Sequence, residues 1–234
     1  MRNKLVYDLP TRLFHWMFAT CFVATYAIAS TAEHSPLFSW HMMAGAMIVL
    51  MVVLRLIWGA LGTRHARFED LQLHPRSLLV YIQGVFSGKH QHWPGHNPAS
   101  SWAAVIMVLL AAGLGVTGFL MTRGGDAEAY EDVHELLANA FLIVALLHIA
   151  GVIFHAVRHR DGLPLSMVDG KKQQIPDEEA ILRTRPLVAL LFILIVAGSA
   201  TALARNYDAA TQQLDLFGTT LQLGETEDEG HDDD

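Results

Sequence analysis

The chain has 234 residues, of which 52% are apolar and only 17% charged, and its mean hydropathy is +0.31. A soluble domain carries closer to a quarter charged residues, so the composition excludes an ordinary cytosolic enzyme and points to a membrane protein. The net charge of −7 is concentrated at one end, where the last ten residues, ETEDEGHDDD, are acidic at seven positions, and the single cysteine, Cys21, excludes an internal disulfide, a cysteine-ligated cluster and a CxxCH haem attachment.

Taken in chain order, five stretches are apolar over the roughly 20 residues that a bilayer crossing requires. The first covers about residues 13–32 and the second about 38–60, with Arg55 as its one formal charge. The third covers about 101–122, the fourth about 133–157 with Glu135 near its start, and the fifth about 186–204. Backbone groups in lipid must be satisfied within the segment, so these spans are expected to be helices. The first run is too long for a signal peptide and no small-residue cleavage site follows a short core, so no cleaved leader is expected. Arg2, Lys4 and Arg12 precede the first span. Arg64, Arg67, Arg76 and Lys89 lie between the second and third, and Arg158, Arg160, Lys171, Lys172, Arg183 and Arg185 between the fourth and fifth. The other side offers only Arg123 and Arg205. Positive charge stays inside, so the N-terminus is expected in the cytoplasm and the tail beyond the fifth span outside it. That tail, from Asn206, reads as an irregular acidic segment, and 62–100 reads as a long cytoplasmic loop.

The 13 histidines need an explanation, because an ionisable group inside a span is costly and marks function. His134 and His148 are 14 residues apart, which returns to the same helix face after a rise of roughly 21 Å. One helix therefore presents two imidazoles on one stripe, one near each membrane face. His41 sits near the outer start of the second span and matches the depth of His134. His15 sits near the inner start of the first span and matches His148. Two cross-bundle pairs result, His41 with His134 and His15 with His148. Facing imidazoles can hydrogen-bond, bind a bare metal, or hold a haem iron between them. Four at two matched depths favour the haem. Gly45 and Gly151, about one turn past His41 and His148, leave room for a flat macrocycle or a close helix. Arg55, 14 residues after His41, is placed to pair with the propionates of an inner haem or to snorkel to the interface. His155 is the rival to His148 as inner ligand.

The cluster HxHxxxH at His90, His92 and His96 either binds zinc or lies solvated at the interface with Trp93, and no cysteine or acid completes a metal site there. His34, His65, His74, His159 and His231 fall in loops or tail and are expected at the surface. Met42, Met43, Met47 and Met51 read as packing or lipid-facing residues. Arg76 and Asn97 are weak candidates for a quinone contact in the long loop. The acidic end either is simply solvated or docks a basic partner.

The stretches YDLPTRLFHW, SWHMMAGAMIVLMVVLRLIWG, GHNPAS, GFLMTRG, VHELLANAFLIVALLHIAG and LPLSMVDGKK, over roughly residues 7–172, resemble the bacterial cytochrome b561 / nickel-iron hydrogenase cytochrome b subunit family. The resemblance implies an all-α, four-helix transmembrane bundle with two b haems. Its ligands come from the first, second and fourth helices, which map here onto His15, His41, His134 and His148. It also implies an inner-membrane protein of a respiratory chain, passing electrons between the quinone pool and a periplasmic redox partner. The expected organisation is a di-haem bundle over 1–172, a cytoplasmic linker and fifth span over 173–205, and an acidic periplasmic tail over 206–234. The fifth span and tail depart from the family pattern and favour a c-type cytochrome over a hydrogenase as partner. Three rival activities stand beside electron conduction: superoxide oxidation, ferric reduction, and service as the cytochrome b anchor of a hydrogenase-like complex.

Overall fold

The computed structural model describes residues 3–32, 35, 37–87, 93, 95–122, 127–159, 163–173, 175–216 and 218–223. A short strand, β1 (Lys4–Leu5), leads into α1 (Leu9–Thr31), and α2 (Phe38–Leu61) returns antiparallel to it. Two single 3-10 turns and α3 (Pro75–Ser87) precede α4 (Pro98–Met121) and the longest helix, α5 (Ala127–His159). Next come the one-turn α6 (Ser166–Asp169), β2 (Lys171–Lys172) and α7 (Pro186–Asn206), and the described chain ends in β3 (Tyr207–Asp208), β4 (Gln213–Leu216) and β5 (Thr219–Gln222). Among the described residues, five helices are long and apolar enough to cross a membrane, the shortest having 21 residues. The protein is an all-α multi-pass membrane bundle.

Local chemistry sets the helix starts. The Asp8 carboxylate caps α1 by accepting from the Thr11 N–H at 2.9 Å, and Pro10 sits in the first turn, where its missing N–H costs nothing. The same carboxylate accepts from Trp58 Nε1 at 3.2 Å and Thr63 Oγ1 at 2.6 Å, so one fully buried acid joins the start of α1 to the end of α2. Asn97 caps α4 through Ser100 N–H at 2.8 Å, again followed by proline. α1 packs on α2, α2 on α4 and α4 on α5, while α7 lies against α1 and α2. At mid-height the rings of Phe18 and Phe22 meet Phe141, with centroids 5.8 and 4.1 Å apart. Met43, Met47 and Met51 form a buried stripe along α2. We call the end where the chain starts basal and the end with the α1–α2 turn apical.

Two segments differ from the sequence reading. The 62–100 stretch is not simply a loop: α3 is an amphipathic helix whose Leu79, Val80 and Phe86 are exposed, as at a bilayer interface. The chain after Asn206 is not irregular either. β3, β4 and β5 form an antiparallel sheet in the register Tyr207↔Leu214 and Leu214↔Leu221. Leu214 and Leu223 are 2% and 3% exposed and join the main core, and Ser39 Oγ donates to Leu223 O at 3.2 Å. The period-two pattern of leucines in LDL and TTLQL provides the buried face, and Gly218, with φ of 81°, allows the tight reversal between β4 and β5. The seven terminal acids, His34, His90, His92, His231 and Arg123 lie outside the described residues.

Candidate functional site

At the apical end, α2 and α5 bring His41 and His134 together, with ring centroids 6.2 Å apart and planes at 66°. His41 Nδ1 lies 2.9 Å from Thr25 O. A carbonyl only accepts, so Nδ1 carries the hydrogen and Nε2 is left with its lone pair. His134 Nδ1 lies 2.8 Å from Thr117 Oγ1, whose own hydroxyl donates to Gly113 O at 3.0 Å. That relay again puts the hydrogen on Nδ1 and leaves Nε2 bare. Phe38 stacks on His41 at 5.0 Å. A Cβ added to Gly45 or Gly151 would meet nothing within 4 Å.

The basal end is built differently. His15 on α1 and His148 on α5 lie within electrostatic reach of each other, and His96 within reach of both. Arg55 on α2 stands over the Phe14 ring at 5.9 Å, with Nη1 buried and lacking a hydrogen-bond partner. His155, the rival ligand, is buried and meets the Tyr81 hydroxyl through Nδ1 at 3.2 Å, which ties α3 to α5. Asn97 spends its carbonyl oxygen on the α4 cap, and Arg76 is exposed on α3.

Below the histidines lies a charged layer. His65, expected at the surface, is 1% exposed, with Nδ1 3.0 Å from Asp70 Oδ1 and Nε2 2.7 Å from Glu179 O. His96 Nδ1 stands 3.9 Å from Asp70 Oδ2, beyond hydrogen-bond range. Tyr7 donates to Gly95 O at 3.1 Å, and Lys172 Nζ donates to the same oxygen at 2.7 Å. Burial opposes charge on Asp70, but the His65 hydrogen bond and the neighbouring His96 outweigh it and hold the carboxyl well below the usual carboxylate range. Burial, with the Asp70 charge added, pushes the Tyr7 phenol up. His96 is shifted down, first by burial, then by Lys172 and Arg55, against the pull of Asp70. Sequence spacing missed this layer because its members come from four separate segments. Only GHNP hinted at it, through the Asn-Pro helix start.

The model of the prokaryotic cytochrome b561 family matches residues 6–170, from just after β1 to the end of α6. The chain belongs to that family. It is therefore a membrane b-type cytochrome, and its family implies haem b. Two curated relatives are each named a probable Ni/Fe-hydrogenase B-type cytochrome subunit. The protein from Rhizobium leguminosarum bv. viciae is 22% identical over 218 residues, covering 73% of this chain and 89% of the relative. The protein from Bradyrhizobium diazoefficiens is 21% identical over 214 residues, covering 72% and 85%. No solved structure matches the chain.

The apical residues fit such a group. Metal–imidazole bonds of about 2.0–2.1 Å put the centroids of two imidazoles flanking one metal roughly 6 Å apart, the separation of His41 and His134. The open flank of Gly45 suits a flat ring there, and at the basal end the open flank of Gly151 and the buried, partnerless guanidinium nitrogen of Arg55 suit a ring and its carboxylates.

Proposed function

We propose that the protein is a di-haem electron conduit in the bacterial inner membrane, carrying electrons between the quinone pool and a periplasmic redox partner, a c-type cytochrome. His41 and His134 hold the apical, periplasmic haem, and His15 and His148 hold the basal, cytoplasmic one. Arg55 pairs with the propionates of the basal haem. Residues 1–172 form the di-haem unit, 173–205 the linker and fifth span, and 206–234 the periplasmic tail. The observation that carries this reading is the tautomer of His41, fixed by Thr25 O so that the bare Nε2 is the nitrogen free to ligate.

When bound, haem iron supplies one-electron redox chemistry. The chain supplies the rest. Thr25 O and Thr117 Oγ1 orient the apical imidazoles. Phe18, Phe22 and Phe141 fill the space between the two levels with apolar rings and keep water out. The names of the relatives favour one second reading, in which the partner is a hydrogenase.

Purified protein expressed with ample haem is expected to show a reduced b-type spectrum and two haems per chain by pyridine haemochrome. His41→Ala and His134→Ala should each remove the same haem. Colourless protein, or two variants that lose different haems, would overturn the assignment. Reduction of added c-type cytochrome by quinol, with no response to a hydrogenase module, separates the two partners.

A further inference from the structure

The most unusual cluster outside the four membrane histidines is the layer of His65, Asp70 and His96 at the basal end. His65 faces a backbone carbonyl with Nε2, so Nε2 carries a hydrogen. Its Nδ1 faces Asp70 Oδ1 at 3.0 Å. The other carboxylate oxygen, Asp70 Oδ2, is buried without a hydrogen-bond partner, and so is His96 Nδ1, 3.9 Å away. One proton added there converts two orphans into a hydrogen-bonded pair with little movement. The far end of the line reaches the surface, where Glu179 forms an ion pair with Arg64 at 2.8 Å. At the near end, His96 is within electrostatic reach of His15 and His148.

We infer that the His65–Asp70–His96 triad is a redox-linked proton site, taking up one proton between Asp70 and His96 when an electron arrives at the basal end and releasing it when the electron leaves. The inference rests on the proposed basal haem. The balance is simple: a quinol donor supplies the electron, solvent beyond Arg64 and Glu179 supplies the proton, and the only bond made or broken is N–H or O–H. Every charged neighbour is consistent with this role. Tyr7 packs edge-on against His96 at 5.5 Å and keeps its proton. Burial, then Lys172 and Arg55, shift His96 down against the pull of Asp70, whose carboxyl is held low. An added negative charge nearby raises the proton affinity of the pair. The glycine of GHNP supports the close packing of the triad: a Cβ on Gly95 would overlap the Asp70 carboxylate and approach His65 Nδ1 to 2.6 Å.

The test is an optical redox titration of the full-length protein at several pH values. The His41→Ala background removes the apical haem, so the remaining signal is the basal one. With the triad intact, the basal midpoint potential should fall as pH rises. Asp70→Asn keeps the oxygen that accepts from His65 but loses the charge, and should flatten that slope with haem content unchanged. His96→Gln should flatten it too, and decides the matter alone if Asp70→Asn does not fold. A slope that is absent in the parent, or retained in both variants, overturns the proton site while leaving the haem reading intact. Protein with no basal haem overturns the haem reading instead.

Discussion

The two ends of the bundle hold their histidines by different means. At the apical end each imidazole is gripped by one hydrogen bond from within the membrane, His41 by Thr25 O and His134 by Thr117 Oγ1, with aromatic Phe38 alongside. At the basal end His15 and His148 lie above a layer containing Asp70, His65, His96, Lys172 and Tyr7. The apical pair is held in orientation by Thr25 O and Thr117 Oγ1, beside the Phe38 ring. The basal pair sits in a field of groups that can gain or lose charge. A potential set by orientation is insensitive to pH, whereas one set by titratable neighbours follows it. On the proposed reading, one chain would combine a stiff redox site with a responsive one.

The largest effect expected from breaking this contrast is at the apical anchor. Thr117→Val removes the acceptor of His134 Nδ1 while keeping the shape of the side chain. Outer partners of metal-bound imidazoles are worth roughly 10–100-fold in affinity. The variant should lose apical haem by about that factor, measured by competition with apomyoglobin, and leave the basal haem unchanged. Equal loss at both levels would mean that the two ends are not independent.

Next in size is the basal layer. Gly95→Ala forces a methyl into the Asp70 carboxylate, and overpacking of this kind costs about 1–3 kcal/mol. It should lower the melting temperature of the detergent-solubilised protein. Gly45→Ala, whose Cβ meets nothing within 4 Å, should leave the haem-free helix at least as stable and instead weaken haem retention. The basal layer should also give the fold an acid limit. Asp70 is held below its unfolded value of about 3.9. A carboxyl depressed on folding contributes stability that is present above the unfolded value and is lost as pH falls through the folded one. The melting temperature should therefore drop on the acid side of about pH 4, and Asp70→Asn should lack that part of the fall.

How much of this was legible in the sequence follows the same division. The spans showed because lipid demands long apolar runs, and α1, α2, α4, α5 and α7 begin and end within a few residues of expectation. The placing of His41 beside His134, and of His15 within reach of His148, was legible because helical periodicity converts sequence spacing into face and depth. His65 and Asp70 were not. They sit in 3-10 turns, where no period operates, and they meet His96 and Glu179 only through tertiary packing. The sheet after Asn206 was hidden for a different reason: the acidity of the final ten residues masked a two-residue alternation immediately before them.

The smallest expected effect concerns that apical tail, and the sheet changes how it must be tested. Removing everything from Asn206 would strip Leu214 and Leu223 from the core and leave Ser39 without its acceptor, so any loss of activity would have a trivial cause. Cutting after Leu223 keeps the sheet and removes only Gly224–Asp234, which carry the seven acids. Acidic groups near a docking face raise the encounter rate with a basic partner by long-range attraction, and salt screens that attraction over a Debye length of about 8 Å at physiological ionic strength. The truncated protein should therefore reduce a basic c-type cytochrome several-fold more slowly at low salt, and at the same rate as the full chain at high salt. The rate of the full chain should fall as salt is added, and the two curves should converge. Parallel curves would mean that the acids do not face the partner, and the apical end would then owe its docking to the sheet and the turn between α1 and α2.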